Sequence, residues 1–245
     1  MPFTTPNFTQ KINTMKHLSL LLVSLLLFVA CNQKKDKSEK SKTEATSEVS
    51  SEKEMNVLED IAYANGYENW SEVDSISYTF NAQNGENISS RTWKWKPKTG
   101  EVTMKTQDTT LTYNTNKFEE EIAFADRGFV NDKYWLLFPF HLAWDDNFDY
   151  EVAEQAEAPI SGELMQEIAI MYKDEAGYTP GDTYHIYVDE NQMIREWSYT
   201  PKGSDEPRLA TTWEDYDDFK GIKIARMHDT KEENFKIYFT DISVN

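Results

Sequence analysis

The chain offers one sulfur nucleophile, four imidazoles and a surplus of carboxylates, and only the sulfur sits in a pattern that points to chemistry. Cys31 is the sole cysteine. It follows a leucine-rich apolar run over residues 18–30, which Met15, Lys16 and His17 precede. A basic start, an apolar stretch shorter than the ~20 residues of a bilayer-spanning helix, and a small residue before the thiol read as a cleaved signal segment. The chemistry implied is acylation of the Cys31 sulfur rather than catalysis.

The imidazoles show no such pattern. His17 leaves with the signal segment, and His141, His185 and His228 lack HExxH spacing or close pairing. His185 lies between Tyr184 and Ile186 and reads as an ordinary strand residue, not a general base. No Gly-x-Ser-x-Gly elbow, P-loop or dinucleotide glycine fingerprint occurs. Asp145-Asp146-Asn147-Phe148-Asp149 begins like a calcium loop, but Tyr150 stands where glycine is required and Ala156 where the bidentate glutamate belongs. Glu214-Asp215-Tyr216-Asp217-Asp218 reads as a solvated turn. A carboxylate pair for glycoside hydrolysis is defined by its separation in space, so no pair is singled out. No catalytic residue, metal ligand or cofactor is assigned.

Phe28-Val29-Ala30-Cys31 resembles the lipobox of bacterial lipoproteins, in which the cysteine becomes the acylated N-terminus. Ala30 fits its small position, and Phe28 departs from the usual leucine. Met15 is the more natural start, with residues 1–14 an extension in front of it. The resemblance implies a protein held to a membrane of the cell envelope through Cys31, the outer membrane of a Gram-negative bacterium. Residues 31–54 are rich in Lys, Ser, Glu and Thr, with Val49 their only bulky apolar residue. Such a segment cannot bury enough surface to offset chain entropy and is expected to be a disordered spacer. Loss of residues 1–30 removes two lysines and no acid, so the formal net charge goes from −18 to −20. Phosphate backbones are held by clustered Lys and Arg, which excludes nucleic acid as a partner.

Residues 55–245 then form one domain, with no internal repeat and no second break in composition. Leu58, Ile61 and Ala62 predict a helix over 55–65, stopped at Gly66. Strands are expected over 75–80, 91–96, 101–105 and 111–113, with Pro97-Lys98-Thr99-Gly100 as a hairpin turn. Residues 131–142 hold the densest apolar cluster. Asn131 is expected to cap a short helix there and Pro139 to end or kink it near Phe138. This helix is either a core plug on one side of a sheet or a mobile apolar lid over a cavity. After an acidic loop come strands over 164–172, 183–188, 193–199, 210–216, 222–228 and 235–242, joined by short turns that imply antiparallel hairpins. Two short helices cannot cover both faces of about ten strands. The fold expected is mainly β, a curved antiparallel sheet forming an open or half-closed barrel capped by short helices.

Two segments resemble a family of uncharacterised lipoproteins of Bacteroidetes. One is Ile61-Ala62-Tyr63-Ala64-Asn65-Gly66-Tyr67-Glu68-Asn69-Trp70 with the Val73–Tyr78 stretch; Asn65-Gly66-Tyr67 departs from the usual Gly-Gly or His-Gly turn. The other is Asp132-Lys133-Tyr134-Trp135-Leu136-Leu137-Phe138-Pro139-Phe140-His141-Leu142, similar to that family's Tyr-Trp-Leu-Leu-x-Pro segment. Tyr187-Val188-Asp189 and the stretch from Thr211-Thr212-Trp213 to Gly221-Ile222-Lys223 are similar to the LolA/LolB-like lipoprotein-carrier superfamily. The resemblance implies an open β-barrel capped by helices around a greasy cavity. It supplies no activity.

The function expected is that of a binding protein with an apolar ligand, a lipid or acyl chain, inside the half-barrel. Trp93, Trp95, Met104, Trp135, Phe138, Tyr184, Met193, Trp197 and Trp213 are the candidate lining residues, because pockets for apolar ligands are built from such side chains. Each of them could equally fill a solid core. A structural or interaction lipoprotein is the alternative, and a carboxylate-based hydrolase comes third.

Overall fold

The computed structural model describes residues 56–117, 119–174, 179–230 and 234–245. The signal segment, Cys31 and the spacer lie outside the described residues. Asn56 caps the first helix: its Oδ1 accepts from the Leu58 and Glu59 amides, and Glu59 Oε2 accepts from the Asn56 amide at 3.2 Å. This reciprocal box starts α1, Val57–Ala64, which buries Leu58, Ile61 and Ala62. Gly66 ends it at φ +89°. A Cβ at that position would stand 1.7 Å from the Gly221 carbonyl oxygen, so glycine serves both the left-handed turn and the close approach. A 3₁₀ turn, Tyr67–Glu72, leads into the sheet.

The strands are β1 (Ile76–Asn84), β2 (Asn87–Lys96), β3 (Glu101–Lys105) and β4 (Thr110–Asn114); then, after helix α2 (Ala123–Trp144), β5 (Phe148–Glu157), β6 (Leu164–Tyr172), β7 (Thr183–Val188), β8 (Ile194–Thr200), β9 (Leu209–Thr212), β10 (Glu214–Phe219), β11 (Ile222–Asp229) and β12 (Phe235–Val244). They form a seven-stranded sheet in the order β10-β11-β12-β1-β2-β3-β4 and a five-stranded sheet in the order β5-β6-β7-β8-β9. Every pairing is antiparallel. The chain passes from one sheet to the other at Trp213, the single residue between β9 and β10. Its amide still donates to the Arg195 carbonyl on β8, while Thr212 Oγ1 accepts from the Asp229 amide on β11. Neither sheet closes on itself, so the architecture is the open antiparallel shell that the strand spacing predicts.

Three local expectations need correction. The acids from Asp149 to Glu157 belong to β5 and not to a loop: Phe148, Tyr150 and Val152 alternate with Asp149 and Glu151, although the strand is exposed almost throughout. The strand expected over 210–216 is two strands bent at Trp213, and the acids from Glu214 to Asp218 make up most of the exposed edge strand β10 rather than a turn. The third concerns α2, which begins eight residues before Asn131 and runs past Pro139 to Trp144. Asn131 is therefore an interior residue and no cap. Proline removes one backbone donor and presses on the carbonyl four residues earlier, and the break appears at Leu137 (φ −128°, ψ 29°). The helix resumes because Phe138, Pro139, Phe140, His141 and Leu142 are all buried and apolar packing holds them.

Candidate functional site

A cavity of about 590 Å³ lies where α2 faces both sheets. Helix α2 contributes Arg127, Val130, Asn131, Tyr134 and Trp135, which are spaced by three or four residues and so share one face. Phe80 and Ala82 on β1, Arg91 on β2, and Phe235 and Ile237 on β12 come from the larger sheet. Tyr184 on β7, Trp197 and Tyr199 on β8, and Leu209 on β9 come from the smaller one, with Thr179 and Asp182 from the segment before β7. Arg127 and Asn131 are exposed and mark the open side, whereas Trp135, Tyr184 and Trp197 are buried. The volume and the aromatic walls suit a small ligand with a long apolar part.

A buried carboxylate fastens the helix that forms one wall to β2. Asp132, fully buried, accepts from Arg91 Nε at 2.8 Å and Arg91 Nη2 at 2.6 Å. The same carboxylate accepts from Trp93 Nε1 at 2.7 Å and from Asn131 Nδ2 at 3.0 Å. A two-pronged guanidinium contact of this kind fixes orientation as well as distance. Arg91 also lies over the Phe80 ring, 5.0 Å from its centroid, so one residue joins the latch to the cavity wall.

Three of the nine residues singled out in the sequence come together on the cavity wall. Trp135 meets Trp197 edge to face at 4.6 Å, and Tyr184 stacks on Trp197 at 5.2 Å. The other six pack elsewhere. Trp93 donates to Asp132, and Met104 sits opposite it across β2 and β3. Trp95 lies among Trp70, Phe129 and Trp144. Phe138 and Trp213 pack against Trp197 at 5.4 and 5.9 Å. Met193 is buried beside the turn between β7 and β8, with its amide on Asp189 Oδ1. Arg91, Arg127, Val130 and Tyr134 went unnoticed in the sequence. A helical period carried back from Trp135 through 134, 131, 130 and 127 would have pointed to the last three.

A second, smaller cavity of about 320 Å³ shares Val130, Tyr134 and Thr179 with the first and is also lined by Lys133, His141 and Asp145. Asp145 accepts there from Tyr134 and Tyr172, each at 2.7 Å, and faces His141 Nδ1 at 3.1 Å. Burial opposes the charge on Asp145, but His141 and the two hydroxyls outweigh it and hold the carboxyl down at about 2. Burial also pushes His141 down to about 4, against the pull of Asp145, so the ring is neutral at pH 7. Lys133 places its ammonium 5.5 to 5.9 Å from the centroids of Trp95, Phe129 and Trp144, and burial lowers its pKa. His228 is buried at the back of Trp135, and burial pushes it down to about 3. Neither of its ring nitrogens has a hydrogen-bond partner. His185, on β7, bonds Glu167 Oε1 at 2.7 Å. Among the described residues no group of three or more His, Cys, Asp or Glu is placed to hold a metal ion, and no helix is long and apolar enough to cross a membrane.

No protein-family model and no curated protein matches the chain. Solved structures with a similar chain path include a DUF1329 family protein from Desulfovibrio piger, at 10% identity over 78% of this chain and 94% of that one, with a TM-score of 0.46. Another is a domain assigned as an outer membrane lipoprotein-sorting protein from Vibrio parahaemolyticus, at 11% identity over the same shares of the two chains, with a TM-score of 0.44.

Proposed function

We propose that the domain holds an apolar ligand, a lipid or acyl chain, in the cavity between α2 and the two sheets, and that it does so at the cell envelope, tethered to the outer membrane of a Gram-negative bacterium through Cys31. The observation that carries the reading is the unfilled space of about 590 Å³ beside Trp135, Tyr184 and Trp197, where a solid core would have put side chains. Binding rather than catalysis is proposed because the displaced histidines are spent structurally. His141 is turned to Asp145, His228 is enclosed by rings, and neither hydrogen-bonds a hydroxyl that could act as nucleophile.

Native mass spectrometry of the purified domain, before and after addition of a fatty acyl lipid, tests the ligand. One bound lipid per chain, with a change in tryptophan emission from Trp135 and Trp197, is the expected result. A protein that stays ligand-free at saturating lipid would overturn the reading. For the tether, fatty-acid labelling of cells should be lost on Cys31→Ala.

A second reading, an interaction lipoprotein, is favoured by β5. This ten-residue strand leaves one edge unpaired and exposes Tyr150 and Val152, with Leu164 at the start of the neighbouring strand. Such edges pair with extended segments of other chains.

A further inference from the structure

We infer that the ligand is an amphiphile with one anionic head group and that Arg127 holds this head at the open side of the cavity; the inference rests on the ligand-binding function proposed above. The face of α2 that lines the cavity changes character along its length. Exposed Arg127 comes first, then Val130 and Asn131, then Tyr134 and buried Trp135. A ligand lying along that face meets a cation at the solvent end and indoles at the inner end. This is the polarity of a chain with a charged head.

The other charged side chains on the cavity wall have hydrogen-bond partners of their own. Arg91 is held by Asp132. Asp182 accepts from Tyr199 OH at 3.1 Å and from the Lys202 amide at 2.9 Å. Arg127 has no ion pair among the described residues. Its own helix offers it no acid either, since the residues three and four positions away are Ala123, Phe124, Val130 and Asn131. In a chain with 43 acids against 25 Lys and Arg, a cavity-lining cation with no ion pair among the described residues runs against the average. A neutral lipid gives it no partner, and a cationic amphiphile would be repelled. A carboxylate or phosphate oxygen pair matches the planar guanidinium.

Dodecyl compounds with different heads separate these cases: dodecanoate, dodecyl phosphate, dodecanol and dodecyltrimethylammonium, each titrated below its micelle concentration against the tryptophan emission of the whole domain. The two anions should bind roughly fivefold more tightly than dodecanol, in line with one partly exposed charge pair, and the trimethylammonium compound most weakly. Preference for the carboxylate points to fatty acids and preference for the phosphate to phosphate-bearing lipids; either order supports the anionic head. Arg127→Ala should bring the anion-to-alcohol ratio close to one, Arg127→Lys should restore part of it, and Arg127→Glu should turn the preference towards trimethylammonium. Equal binding of dodecanol and the anions by the native protein, or a ratio unmoved by Arg127→Ala, would overturn the inference while leaving the cavity function standing. No binding of any dodecyl compound would overturn both.

Discussion

The two halves of α2 are held in place by different physics. Beyond the break at Leu137, five consecutive residues from Phe138 to Leu142 are buried, and Phe138 alone meets Tyr184, Trp197 and Trp213 within 6.3 Å. That half is fixed by many weak contacts that add up. Before the break, the helix has one side against β2 and one side on the cavity, and polar contacts join it to the sheets: Asp132 to Arg91 and Trp93, and Tyr134 to Tyr172. The outer half thus leans on polar contacts in addition to packing, whereas the inner half is held mainly by its buried rings. The lesson is that the ligand-facing half and the fold-bearing half of one helix can be perturbed separately.

The largest expected effect breaks the packed half. Phe138→Ala should cost about 3–5 kcal/mol in urea unfolding, because the ring is fully buried and its neighbours cannot collapse into the space. Next comes the latch. Arg91→Ala leaves Asp132 fully buried with only Trp93 and Asn131 as donors, and a loss of about 3 kcal/mol is expected. Amide hydrogen exchange should then quicken over residues 123–136 and stay slow over 138–144. Equal quickening in both halves would erase the distinction between them.

A pH effect of intermediate size follows from the neutral histidines beside each half, His141 in the packed half and His228 behind Trp135. Both have folded pKa values below the usual 6.5, at about 4 and about 3, so the unfolded chain binds more protons below pH 6.5. Stability is therefore lost as pH falls from about 6.5 towards those values. His228 alone should contribute roughly 2 kcal/mol of that loss by pH 5. Thermal melts of His228→Phe should show a shallower decline between pH 6.5 and 5. The smallest effect is expected at Lys133→Met, within about 1 kcal/mol, because the lost attraction to three rings is offset by the burial cost of the ammonium. A larger loss there would mean that the rings around Lys133 help to anchor the outer half.

Much of the shell was legible in the sequence. The alternation of Ile76, Tyr78 and Phe80, and of Trp93 and Trp95, marks strands with one inward face, and Pro97 to Gly100 marks the hairpin from β2 to β3. Asn56 with Glu59 and the stop at Gly66 likewise follow from local chemistry. β5 was harder to read, since Phe148, Tyr150 and Val152 alternate with acids over only half of a strand that is otherwise polar or small and exposed on both faces. Nor was the length of α2 clear, because a proline normally ends a helix unless packing on the far side holds the next turn.

The cavity separates the two kinds of information most sharply. Local pattern determined that Trp93, Trp135, Trp197 and Trp213 would point inward, because pleat and helical period fix the direction of each side chain. It could not say which inward ring would touch another ring and which would touch empty space. That depends on where α2 crosses the shell, and the crossing is decided by contacts far apart in the chain: Asp132 with Arg91 and Trp93, and Phe138 with Trp197 and Trp213. A void is a property of how surfaces fail to meet, and only the assembled surfaces carry it.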